Sequence, residues 1–80
     1  MKLEIITPEQ IYFSGEVSLV TLPGAKGSFT VLDHHAPIIS FLNKGKLVYE
    51  TGGQTKELNI SGGFMEMSHN NVTVAVETLD

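Results

Sequence analysis

The sequence predicts an all-β domain, and three observations carry that expectation. Apolar residues recur at a spacing of two along most of the chain, as on a strand with one buried face. Turn-forming residues interrupt this alternation roughly every 8 to 12 positions, the rhythm of a small sandwich or barrel. Helical spacing is nearly absent.

Each element follows in order. Leu3 to Thr7 is the first strand, ended by Pro8-Glu9-Gln10, where proline presets φ for a turn and offers no N–H to a ladder. Ile11-Tyr12-Phe13 is a short strand, and Ser14-Gly15 reads as the next break. Glu16 to Leu22 is a longer strand in which Val17 and Leu19 are out of phase with Val20 and Leu22, a shift that a bulge near Leu19 explains. Pro23 to Gly27 is a loop by composition, and Ser28 to Leu32 returns to strand with Phe29 and Val31 on one face. Asp33-His34-His35-Ala36-Pro37 is a second loop, since a residue before proline is pushed away from helical geometry.

Ile38 to Leu42 is apolar on both faces, and Asn43-Lys44-Gly45 turns the chain into a strand over Lys46 to Thr51. Gly52-Gly53 is the strongest hairpin signal, because both central residues of a type I′ turn need φ > 0. Lys56 to Ile60 is the return strand, with Leu58 and Ile60 inward. Gly62-Gly63 breaks the chain, Phe64 to Ser68 is a strand, and His69-Asn70-Asn71 turns into Val72 to Glu77, whose Val72, Val74 and Val76 share one face. About nine short strands result, enough for two small packed sheets in one domain over residues 1–80.

Composition narrows the function. The chain of 80 residues is 41% hydrophobic and 18% charged, a globular balance, and its size leaves a thin core that a partner helps to complete. With no cysteine, a thiol nucleophile, a redox pair and a thiolate zinc site are excluded. Five lysines against nine carboxylates give a net charge of −4, which disfavours sequence-independent phosphate binding. No apolar run approaches the ~20 residues that span a bilayer, and the N-terminus has no secretory h-region.

The titratable residues offer little chemistry. Asp33-His34-His35 is the one cluster that invites a metal or acid–base reading, yet adjacent residues on an extended chain face opposite ways and His69 lies in another turn. No serine sits in a G-x-S-x-G elbow, and the glycines form no phosphate-binding loop. Catalytic, cofactor-binding and metal-ligating residues are therefore none. Lys44 and Lys46 beside Phe41 and Tyr49 are a weak footing for an OB-like nucleic-acid binder. More telling is apolar surplus. Met65 and Met67 fall on one face of a strand and Phe64 on the other, so one set stays outside the core, and Ile38 to Leu42 poses the same problem. Exposed apolar patches mark interaction sites, so the residues favour a binding module over an enzyme.

The run Gly27 to Ile39, with His35-Ala36-Pro37 near its end, resembles the G-x-x-x-(V/I)-x-P-x-H-A-P-hydrophobic segment of the ε subunit of bacterial F-type ATP synthases. Thr7-Pro8-Glu9-Gln10 with Phe13-Ser14-Gly15, then Asn43-Lys44-Gly45, then Ser61-Gly62-Gly63 with Asn71-Val72-Thr73-Val74 match that family in the same order. The resemblance implies a sandwich of two five-stranded sheets. It also implies a non-catalytic, cofactor-free rotor subunit of the central stalk, which links the γ subunit to the membrane c-subunit ring and couples proton or sodium flow to ATP synthesis. Such a subunit is peripheral, on the cytoplasmic face of the bacterial plasma membrane. Carried over by position, Lys26, Gly27, Ser28, Phe29, His34 and His35 face the c ring. Ile38, Phe41, Leu42, Asn43, Phe64, Met65 and Met67 supply the γ-facing surface, whose apolar area makes self-association of the isolated chain an expectation as well. Family members commonly carry a carboxylate at the position of Ser28, and Pro-Gly at Asp33-His34. They usually continue into a C-terminal helical hairpin that inhibits hydrolysis; this sequence ends at Asp80, so no such inhibition is expected. A free-standing sandwich or OB-like binding module is the alternative.

Overall fold

In a computed structural model, which describes residues 1–77, nine strands form one curled sheet. They are β1 (Lys2–Ile6), β2 (Ile11–Glu16), β3 (Leu19–Gly24), β4 (Gly27–Leu32), β5 (Ile38–Leu42), β6 (Gly45–Thr51), β7 (Gln54–Ile60), β8 (Gly63–Ser68) and β9 (Asn71–Val76). Residues 78–80 of the expected domain lie outside the described range. The sheet folds into two leaves, β2-β1-β9-β8-β5 and β4-β3-β6-β7, joined where Gly24 of β3 meets Leu42 of β5. The result is an all-β sandwich, with leaves of five and four strands.

Alternation decides what is inside. Leu3 and Ile5, Met65 and Met67, and Val72, Val74 and Val76 line the inner face of the five-strand leaf. Val20 and Leu22, Val31, Leu47 and Tyr49, and Leu58 and Ile60 line the inner face of the other. Burying each such side chain contributes about 1.5–3 kcal/mol, and no polar side chain among the described residues has to be buried with them. Phe13 packs against this core and holds Tyr49 in a tilted ring contact, centroids 4.6 Å apart.

Two expectations are corrected. Glu16 to Leu22 is not one bulged strand: the ladder stops after Glu16, and the chain crosses between leaves through Val17-Ser18. Val17 reaches the core at this corner, with its N–H donating to Met1 O at 2.9 Å, so the phase shift is a change of sheet. The register irregularity instead falls at Ile5/Ile6, opposite β2. Ser14-Gly15 is no break either, because both residues pair with β1. A Cβ at Gly15 would stand 3.1 Å from Phe13 Cζ, so glycine there makes room for the ring.

The turns follow their chemistry. Gly52 and Gly53, at φ 57° and 76°, close the β6–β7 hairpin as a type I′ turn requires. His69 and Asn70 adopt the same hand, at φ 51° and 61°, between β8 and β9.

Candidate functional site

Among the described residues, no group of three His, Asp or Glu side chains converges as a metal site would need. The loop from Asp33 to Pro37 is instead tied down by Asn70, whose Oδ1 accepts from the His34 N–H at 2.8 Å and whose Nδ2 donates to Asp33 Oδ1 at 3.5 Å. His34 sits at φ 62°, the left-handed region, at the position where the resemblance places glycine. His35 Nδ1 lies 2.7 Å from the Ala36 carbonyl oxygen. The Met1 ammonium reaches this loop at Asp33 Oδ1 (2.7 Å) and also meets Glu16 (3.2 Å). Asp33 raises the amine's pKa above 8.0, and the ammonium's hydrogen bond holds Asp33 below the ordinary 3.8.

The expected ring-facing residues do not form one surface. Lys26, Gly27 and Ser28 stand at the β3–β4 tip, whereas His34 and His35 follow the far end of β4. Six residues of strand keep the two groups about 17 Å apart. Phe29 is half-buried against the core. The tip shares its end of the molecule with the turn at Asn43-Lys44, since Asn43 N donates to Pro23 O at 2.8 Å.

The expected γ-facing set also divides. Leu42, Met65 and Met67 are core residues, with Met65 fully buried, so their side chains present nothing to a partner. Phe41 and Phe64 are outside, 71% and 37% exposed, with ring centroids 5.6 Å apart in an edge-on contact. Ile38 is half-buried and Asn43 exposed.

Register extends the phenylalanine pair into a feature that sequence alone does not reveal. Phe41 pairs with Phe64, Phe64 with Ala75, Ala75 with Ile6, and Ile6 with Ile11. Cross-strand partners share a face, so these residues make an apolar row across all five strands of the leaf, about 19 Å long at ordinary strand spacing. The adjacent row, Ser14, Glu4, Thr73, Glu66 and Ile39, is mostly polar.

The whole pattern matches a known family model. Residues 1–79 fit the ATP synthase delta/epsilon chain β-sandwich domain. The chain belongs to that family. Among its relatives, the ATP synthase epsilon chain of Nitratidesulfovibrio vulgaris Miyazaki F is 44% identical over 80 residues, covering 100% of this chain and 60% of that one. The epsilon chain of Caulobacter vibrioides is 39% identical over 77 residues, 96% of this chain and 90% of that one. The family sandwich thus spans about 60% of the length of the first relative and most of the second. A chain in the OSCP/F1/c-ring structure of the Euglena gracilis mitochondrial ATP synthase superposes with TM-score 0.90 at 25% identity, over 98% of this chain and 51% of that one. A chain in the central stalk/c-ring structure of the Tetrahymena thermophila enzyme shares the fold, with TM-score 0.83 at 17% identity over 99% of this chain and 64% of that one.

Proposed function

We propose that this sandwich is the stalk-forming part of an ATP synthase ε subunit: a non-catalytic rotor piece that binds γ on one surface and the c ring on another. The apolar row on the five-strand leaf carries the reading, because a family member that leaves Phe41, Phe64, Ile6 and Ile11 in one line needs a partner to cover them. We assign that row to γ. The ring contact goes to the end bearing Lys26, Gly27, Ser28 and Lys44, and a flat ring surface there leaves His34 and His35 free for another contact.

Such a joint transmits torque. One charge crossing 100 mV supplies about 2.3 kcal/mol, and several crossings per ATP load whatever fastens γ to the ring. Two hydrogen-bonded leaves over an apolar core suit that load. The location that follows is peripheral, on the cytoplasmic face of the bacterial plasma membrane.

Co-expression with γ from the same genome tests the assignment. A 1:1 complex on size exclusion is expected, and c-ring-containing membranes should retain that complex but not γ alone. A chain that forms no complex with γ would end the reading.

A further inference from the structure

The four strand edges of the sandwich are not alike. β7 presents Gln54, Thr55, Lys56, Glu57 and Asn59 to solvent, the polar and charged dress that discourages pairing. β4 and β5 carry no charge, their sequences being Gly-Ser-Phe-Thr-Val-Leu and Ile-Ile-Ser-Phe-Leu, and of the two only β5 contributes to the apolar row, through Phe41.

On one side β5 pairs with β8 from Ile38 to Leu42. On the other it meets β3 only at Gly24, where Ala25 N donates to Phe41 O at 2.9 Å and Asn43 N to Pro23 O at 2.8 Å. In an antiparallel strand, the N–H and C=O of one residue point to the same side, and neighbours point oppositely. Phe41 therefore turns its N–H away from β8, and Ile39 turns both of its backbone groups the same way. Past Gly24 the chain folds back into β4, and among the described residues no strand pairs with Ile39 on the side away from β8. The space left is a groove of about 570 Å³, walled by Lys26, Phe29, Ile38, Ile39 and Phe41.

We propose that β5 is a docking edge that takes an extended segment of γ as an added strand, bonded to the backbone of Ile39 and Phe41. The inference rests on the stalk reading and adds how the contact is made. Phe41 belongs both to this groove and to the apolar row, so a partner seated on the row reaches the edge without a gap. Lys26, Gly27 and Ser28, assigned above to the ring contact, line only one end of the groove, so the added segment lies along Ile38, Ile39 and Phe41 and stops short of that end. Main-chain bonds supply affinity in such additions, and alternate side chains supply choice.

Hydrogen exchange on the co-purified γ complex is the test. The amides of Ile39 and Phe41 are expected to exchange fast in the free chain and at least 100-fold more slowly in the complex. Ile39→Pro removes an outward N–H without touching a β8 bond, whereas Ile39→Ala keeps that N–H and trims the side chain. The first should weaken γ binding at least tenfold relative to the second. A γ complex in which these amides stay fast and both variants bind alike would overturn the added strand and leave the stalk reading standing. Absence of any γ complex with the unaltered chain would overturn both. Protection that appears in the free chain and grows with its concentration would assign the edge to a second copy instead. Should Ile39→Pro fail to fold, exchange on the unaltered complex still decides.

Discussion

The two leaves of the sandwich turn similar inner faces to one core and dissimilar outer faces to solvent. Across the five-strand leaf the outer row is Ile11, Ile6, Ala75, Phe64 and Phe41. Across the four-strand leaf the outer rows are Leu32, Leu19, Glu50 and Thr55, then Thr30, Thr21, Val48 and Glu57. There Thr21 and Thr30 share a hydroxyl hydrogen bond at 2.8 Å, and Lys46 meets Glu57 at 3.2 Å. Folding requires only the inner alternation, which both leaves have. The outer apolar row adds nothing that the core needs, and the proposed γ contact is assigned to it on that difference between faces.

The sharpest contrast lies between neighbours on β8. Met65→Ala empties a fully buried site and should cost about 3 kcal/mol in urea denaturation, while Phe64→Ala, on the opposite face, should cost under about 1 kcal/mol. Equal losses would show that the outer phenylalanine is part of the core. Next in size, Phe41→Glu with Phe64→Glu should weaken γ binding about 100-fold and leave the circular dichroism spectrum unchanged. The matched change on the other leaf, Thr30→Glu with Val48→Glu, should leave γ binding within about twofold; an equal loss from both pairs would erase the distinction between faces.

Smaller effects belong to the polar fringe. The Asp33 carboxyl titrates below 3.8 when folded, so the stability it adds is complete above that pH and is lost as pH falls through its folded-state value. The gap in urea midpoint between the parent chain and Asp33→Asn should thus be present at pH 6 and close on acidification; a gap independent of pH would mean that the ammonium contact is idle. Least of all, Lys46→Ala with Glu57→Ala should shift stability by about 0.5 kcal/mol or less, since both groups are more than half exposed.

Much of the fold was legible because strand alternation is local. Val72, Val74 and Val76, or Leu58 and Ile60, announce their inward face within one strand. The choice between Phe64 and Met65 was not legible, because either phase gives a reasonable strand and the decision is made by the leaf packed opposite. The crossing at Val17-Ser18 mimicked a bulge for a related reason: a phase shift looks the same whether the strand buckles or the chain changes sheet. Least visible was the apolar row. Its members come from five strands scattered from Ile6 to Ala75, and only register brings them into line. The division of the ring-facing set was hidden likewise, since Ser28 and His34 are close in sequence but at opposite ends of a strand.

The parallel pairing of β1 with β9 bears on how this molecule is made. A ribosome delivers Lys2–Ile6 long before Asn71–Val76, yet the two strands lie side by side in the middle of their leaf. Until β9 emerges, β1 and β8 each have an empty flank, and the nascent chain carries two sticky borders that β9 closes. Refolding should accordingly run on the millisecond-to-second timescale of chains dominated by distant pairings, roughly in the range of other small all-β domains. A chain interrupted before β9 should yield aggregate in place of a smaller domain, which makes this valine-rich strand the clasp of the whole sandwich.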